Sequence, residues 1–188
     1  MTQQDSPTAA PEAVLEQWLA QEREVLARIE RAGPGVARPD QIAGKSGLEL
    51  LQTMLRGELP YPPIAQTLSF TVLDVEAGRA LFQGTPGPAH LNPMGGIHGG
   101  WYATVLDSAL GCAVQTMLPP GRAYTTAELG LNIVKAINPR TTPRVRAEAK
   151  VLHSGRQLAT AEAKLYGPDG TLYAHATTTC LVFEQRAG

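Results

Sequence analysis

Apolar residues recur along this chain at two periods, and the change of period divides it. From Pro11 to Arg31, Val14, Leu15, Trp18, Leu19, Val25, Leu26 and Ile29 fall at helical spacing, which predicts an amphipathic helix. Its polar face mixes acids with bases, so docking on the domain or on a partner subunit explains it better than a membrane surface does. Gly33-Pro34-Gly35 ends it. Ser46-Gly47-Leu48-Glu49 has Ser at a cap position and Glu three residues on, predicting a second helix with Leu48, Leu51, Met54 and Leu55 on its apolar face and Gly57 at its end. The three prolines between Leu59 and Ile64 predict a rigid extended connector.

The period then shortens. Residues 66–76 carry Leu68, Phe70, Val72 and Val75, and 78–85 follow after Ala77-Gly78, predicting two strands. Residues 86–97 form a Gly/Pro loop. From 98 to 118 the chain is apolar on nearly every face of a helix, and Pro119-Pro120-Gly121 stops it. Four strands follow at 123–137, 143–153, 156–166 and 171–183, the last two joined by the Tyr166-Gly167-Pro168-Asp169-Gly170 turn. The implied plan is α+β, with one long helix lying on, and wrapped by, an antiparallel sheet. Residues 1–11, polar and Pro/Ala-rich, are expected to be disordered. Residues 1–40 are therefore divided off as an extension (a disordered start plus an amphipathic helix) from a main domain at 41–188.

Composition narrows the partners. With 188 residues, 43% of them hydrophobic, the chain can bury a substantial core. The net charge of -1 argues against a nucleic-acid surface. Cys112 and Cys180 each sit in an apolar run, the pattern of buried small hydrophobes. No His or Cys pair has metal-ligand spacing, so no metal is expected. The first residues lack the basic start and apolar core of a signal peptide, and no apolar run reaches the roughly 18 residues that span a bilayer. A cytoplasmic protein without membrane or nucleic-acid partners is expected.

Asp107 lies in the middle of the apolar helix. A buried, unpaired carboxylate costs several kcal/mol, on the order of what a buried ion loses in hydration, so chemistry accounts for it better than folding. The chain has no G-x-S-x-G elbow, no Walker loop and no dinucleotide-binding context around Gly95-Gly96-Ile97-His98-Gly99-Gly100. Gly99 and Gly100 fall in the helix's first turn, where backbone N–H groups lack internal partners and the dipole favours a developing oxyanion. The alternative is that these glycines only permit close helix-to-sheet packing.

The joint pattern Asn92, His98-Gly99-Gly100 and Asp107 resembles the hotdog-fold acyl-CoA thioesterases of the phenylacetate-degradation (PaaI-like) type, related to 4-hydroxybenzoyl-CoA thioesterases. The likeness runs from about Gly44 to Phe183 and includes Ser46-Gly47-Leu48-Glu49, Gly57-Glu58-Leu59-Pro60, Leu106-Asp107-Ser108-Ala109, Thr125-Thr126-Ala127-Glu128-Leu129, His153-Ser154-Gly155-Arg156 and Ala176-Thr177-Thr178-Thr179-Cys180. It implies a hotdog fold and hydrolysis of an acyl-CoA to free acid and coenzyme A, with no cofactor.

Asp107 resembles the family's general base or nucleophile, and burial would raise its pKa. Gly99 resembles the residue whose amide polarises the thioester carbonyl. Asn92 lies six residues before His98, where the family places an Asn or Gln that holds the water or the acyl carboxylate. His98 either orients the loop and assists thiolate departure or is structural. Thr126 either positions water near the acid or is a strand Thr without site contact. Gly111 stands where some relatives carry a Ser or Thr supporting the acid, and Thr126 is the candidate replacement.

Gly100, Trp101, Tyr61, Ser154 and Arg156 are the candidate substrate contacts, with Arg156 reaching the nucleotide phosphates. Arg144 and Arg146 read as solvated strand residues. Leu55, Tyr61, Ile64 and Trp101 either line the acyl pocket or are core. The resemblance further implies a homodimer with a shared site, often doubled to a tetramer. A hotdog dehydratase or hydratase, for which the His-Phe-Pro segment is lacking, and a non-catalytic acyl-CoA binding protein are the alternatives.

Overall fold

The computed structural model describes residues 10–185. The expectation of a disordered start falls almost wholly outside that range. In chain order the elements are α1 (Pro11–Ile29), α2 (Pro39–Ile42), α3 (Gly47–Leu55), α4 (Pro63–Thr67), β1 (Phe70–Glu76), β2 (Arg79–Gly84), α5 (Gly99–Gln115), β3 (Arg122–Ile133), β4 (Val145–Ser154), β5 (Leu158–Tyr166) and β6 (Leu172–Glu184). The strands form one antiparallel sheet in the order β1-β2-β4-β5-β6-β3. The sheet curls around α5, which touches all six strands. This is the hotdog architecture, with extra N-terminal helices.

The local signals work as their chemistry dictates. Ser46 Oγ accepts from the Glu49 amide at 3.3 Å, and the Glu49 carboxylate accepts from the Ser46 amide at 2.8 Å, a capping box that starts α3. Gly57 ends that helix region at φ +74°, and a β-carbon there would overlap the Arg28 carbonyl of α1. Glycine is therefore required twice at one position, for the left-handed backbone and for the close approach.

Three expectations need correction. The proline connector is shorter than expected, because Pro63 opens α4 at a first-turn position where its missing N–H is no loss. The strand expected from residue 66 accordingly begins at Phe70. The helix at 99–115 is not buried all round: Trp101, Tyr102, Val105, Leu106, Ala109, Leu110, Ala113 and Val114 are buried, but Gly100 is exposed and Thr104, Asp107, Ser108 and Gln115 are half-buried. A sheet can wrap only the side of the helix it faces.

Arg144 and Arg146 are not solvated strand residues either. Arg146 stacks on Trp18, 4.4 Å from the ring centroid, and donates to Gln83 Oε1 at 2.9 Å and Gln21 Oε1 at 2.7 Å. Arg144 pairs with the buried Glu22 at 2.9 Å. Trp18 meets Tyr166 edge-on at 5.8 Å. These contacts dock α1 on the sheet. Arg146→Met leaves the fully buried Gln83 carboxamide without its donor, and it should lower unfolding stability by about 1–3 kcal/mol, read as a shift of the urea midpoint.

Candidate active site

Backbone bonds fix the loop before α5. Leu91 and Ile97 bridge antiparallel. Asn92 Oδ1 accepts from the Met94 amide at 2.9 Å and the Gly96 amide at 3.1 Å, and Gly95 turns the chain at φ +82°. The Asn92 carbonyl oxygen is thus committed to the loop, while its Nδ2 has no partner among the described residues. His98 is the N-cap of α5: its Nδ1 accepts from the Gly100 amide at 2.9 Å, and its carbonyl accepts from the Trp101 amide at 2.9 Å. With Nδ1 an acceptor, the neutral ring carries its proton on Nε2. Gly99 precedes these two capped amides, and its N–H has no partner among the described residues. It is an oriented donor at the positive end of a 17-residue helix.

Asp107 is eight residues further on, about 12 Å along the axis. Its carboxylate is half-buried and opens onto a cleft of about 410 Å³. Thr126 Oγ1 donates to Asp107 Oδ1 at 3.1 Å. Thr126 faces the helix because β3 carries a bulge between Thr126 and Glu128; without the extra residue it would be out of phase with the half-buried, core-packed Leu129 and Leu131.

One turn along the helix, Gly111 faces Tyr124, which is two residues before Thr126 on the same strand. A β-carbon on Gly111 would overlap Tyr124 Oη. The Tyr124 phenol therefore occupies the space that a side chain at 111 would take, and it lines the cleft together with Asp107, Ser108 and Cys112. Burial pushes the Tyr124 phenol well above its usual range and the Cys112 thiol up to about 12, so both stay protonated at neutral pH. The one signal for Tyr124 in the chain is the gap left by Gly111.

The other candidates separate. Tyr61 lines the cleft and donates to Glu30 Oε1 at 3.3 Å; Ile64 lines it too. Trp101 does not: it is buried, its indole N–H donates to the Leu68 carbonyl at 2.9 Å, and its ring borders a second hollow with His90, His98, Gly100 and Thr104. Leu55 is packed against the core. Ser154 and Arg156 are exposed on the β4–β5 turn. The Arg122 guanidinium donates to the Arg156 carbonyl, adding a second cation that sequence reasoning had not singled out.

His90 is buried beneath the loop, stacked on Trp101 at 5.6 Å, with Nδ1 accepting from the Gly87 amide at 3.1 Å. Its Nε2 has no partner among the described residues. Among the described residues no three His, Cys, Asp or Glu side chains converge to hold a metal ion, and no helix is long and apolar enough to cross a membrane.

Known proteins share this fold. The model of the thioesterase superfamily matches residues 94–174. Among solved structures, the chain is similar to a putative thioesterase from Ralstonia eutropha, a phenylacetic acid degradation-related protein (31% identity, TM-score 0.63, covering 69% of this chain and 97% of that one). It is similar to a thioesterase family protein from Silicibacter pomeroyi (28% identity, TM-score 0.60, covering 65% and 90%). A hypothetical thioesterase from Streptococcus pneumoniae, solved with coenzyme A, shares the fold (21% identity, TM-score 0.58, covering 65% and 94%). No curated protein matches the chain. The chain belongs to the thioesterase superfamily, in its PaaI-like hotdog branch. It is a thioester hydrolase.

Two outcomes follow from this geometry. Gly111→Ala should destabilise the protein by about 1–3 kcal/mol through overpacking. Adding Tyr124→Phe, which removes the overlapping oxygen, should recover part of that loss, so that thermal unfolding of the single and double variants is non-additive.

The second concerns acid. Burial lowers the His90 pKa below 6.5. As pH falls through about 6.5, the unfolded chain takes up this proton before the native one. Stability from this source is full above that value and declines below it. His90→Phe, which keeps a ring against Trp101, should flatten that decline in unfolding experiments across pH.

Proposed function

We propose that the protein hydrolyses acyl-CoA thioesters at a site assembled from two copies of the chain. The observation that carries this reading is the separation of two unsatisfied groups on one rigid helix. Gly99 and Asp107 are separated by about 12 Å along the helix axis, too far for the amide and the carboxylate to act on one thioester within a chain. A second copy laid antiparallel against the open side of α5 would bring one protomer's Gly99 and Asn92 to its partner's Asp107. The small residues on that side suit close approach. Thr104 and Ser108 already donate to the carbonyls of Gly100 at 2.9 Å and Thr104 at 2.7 Å, leaving no hydroxyl donor unpaired. The edge strand β3 ends at Ile133, which with the following Val134 is about half exposed, a surface that a partner would cover. Doubling of the dimer to a tetramer is part of the same proposal.

In this site the Gly99 N–H donates to the thioester carbonyl oxygen and holds the negative charge that grows there. Asp107 takes a proton from water, whose oxygen attacks the carbonyl carbon. The tetrahedral intermediate collapses, the carbon–sulfur bond breaks with its electron pair going to sulfur, and the proton on Asp107 is returned to the leaving thiolate. Thr126 holds the carboxylate, Asn92 Nδ2 offers a donor for the acyl group or water, and His98 keeps the amides aimed. Alternatively Asp107 attacks directly, forming an anhydride that water then opens; heavy oxygen entering Asp107 in a single turnover marks that route.

No cofactor is required, since coenzyme A is part of the substrate. Arg156 and Arg122 are the cations proposed to meet its phosphates. Binding of coenzyme A by the Streptococcus pneumoniae structure supports this substrate class. The free thiols Cys112 and Cys180 suit a reducing, cytoplasmic compartment. Residues 1–40 are read as an extension to the catalytic domain at 41–188.

Thiol release from acyl-CoA esters tests the reading. Asp107→Asn should lower kcat by about 10³-fold or more, and Thr126→Ala by about 10-fold. Gly99→Pro is a clean probe of the amide. Gly99 is the first helical residue, where proline is tolerated, and the φ of -63° and ψ of 137° at His98 suit a residue preceding proline. The variant should fold yet lose about 10²–10³ in kcat. Co-refolding inactive Gly99→Pro and Asp107→Asn chains should restore activity that neither has alone; no recovery would place the site within one chain.

A further inference from the structure

The cleft onto which Asp107 opens is built from both parts of the chain. Its floor is Phe70 and Val72 of β1 with Phe82 of β2, and α3 contributes Leu51 and Met54. Gly35, Val36 and Ala37, which follow α1, complete the lining. That segment is tied to the domain by a parallel bridge between Pro34 and Tyr61, with the Gly35 amide donating to the Tyr61 carbonyl at 2.8 Å and the Tyr61 amide donating to the Gly33 carbonyl at 3.1 Å. It is a fixed wall.

The polar groups lining the cleft define what it can hold. The hydroxyls of Tyr61, Thr71 and Ser108 already donate to protein acceptors. The Tyr124 phenol, with no hydrogen bond among the described residues, and the second oxygen of Asp107 are left. Both lie on the α5–β3 side. The remaining lining is apolar, and it includes two large apolar side chains that folding leaves outside the core, Val36 at 86% exposure and Ile64 at 48%. An occupant with a polar head at Asp107 and an apolar tail fits this distribution.

We propose that residues 35–37 form a wall of the acyl-binding chamber and make the enzyme selective for an extended aliphatic acyl group over acetyl. The inference rests on the thioesterase site proposed above and deepens it by naming the acyl class and the segment that selects it. The extension then has a function in substrate choice as well as in packing.

The test is the ratio of kcat/KM for octanoyl-CoA to that for acetyl-CoA, measured on the full chain. Val36→Asp, at a position exposed enough to leave folding undisturbed, puts a charge on the wall. Ala37→Phe adds bulk to it. Each should lower the ratio by about tenfold or more, the scale expected when several methylenes lose an apolar wall. A ratio unchanged within about twofold in Val36→Asp overturns the proposal. Should the wild type release no thiol from any ester, the hydrolase reading itself fails. The wall is then judged by calorimetry with the non-hydrolysable thioethers S-octyl-coenzyme A and S-ethyl-coenzyme A. A preference for octyl that Val36→Asp removes supports it, and no preference in the wild type overturns it.

Discussion

The close seating of α5 in the curl of the sheet is the constraint on which the rest depends. Ala109 and Ala113 of the helix and Ala147, Ala149, Ala161 and Ala163 of the strands are all buried. Small residues on both sides let the sheet bend around the helix at short range. The wrap reaches only one side of a cylinder. The uncovered side is where Gly100, Thr104, Asp107 and Ser108 lie, so the helix that forms the core also carries the Asp107 carboxylate on its open face.

Around this helix nearly every polar group is satisfied, which gives weight to the few that are not. His98 takes the Gly100 amide, Asn92 Oδ1 takes two loop amides, and Thr126 takes one oxygen of Asp107. The Gly99 N–H, Asn92 Nδ2, the Tyr124 phenol and the other Asp107 oxygen remain without protein partners among the described residues. Buried or oriented polar groups rarely stay unpaired in a folded protein. Their placement at a helix start and beside an apolar cleft is the basis of the acyl-CoA site proposed above.

The N-terminal helix is held by chemistry that a pattern of apolar residues does not display. Trp18, Val25 and Ile29 supply the burial, but the fit is set by Arg146 stacked on Trp18 and by the Glu22–Arg144 pair. Arginine at such a position is not a surface charge: its planar face packs as an aromatic would while its edge satisfies buried carboxamides. The segment leaving this helix reaches the Asp107 cleft through its bridge to Tyr61, which couples the docking of the extension to the shape of the site.

Much of this was legible in the chain alone. The change of apolar period located every strand and the three long helices, the Ser46–Glu49 pair located a helix start, and one acid in an apolar run located Asp107. These signals are local, because helices and strands repeat over a few residues and caps act over three or four. What the sequence could not decide was set by residues distant along the chain. The bulge after Thr126 turned its hydroxyl to the acid. Tyr124 filled the space at Gly111, a match between strand and helix invisible at either position. Trp101, an expected substrate contact, went under the loop because Leu68 offered its indole an acceptor. Arg144 and Arg146 found partners about 120 residues upstream. Period and capping fix which elements form. Which side chains meet across them depends on register, bulges and close approach, and these exist only once the sheet has closed around its helix.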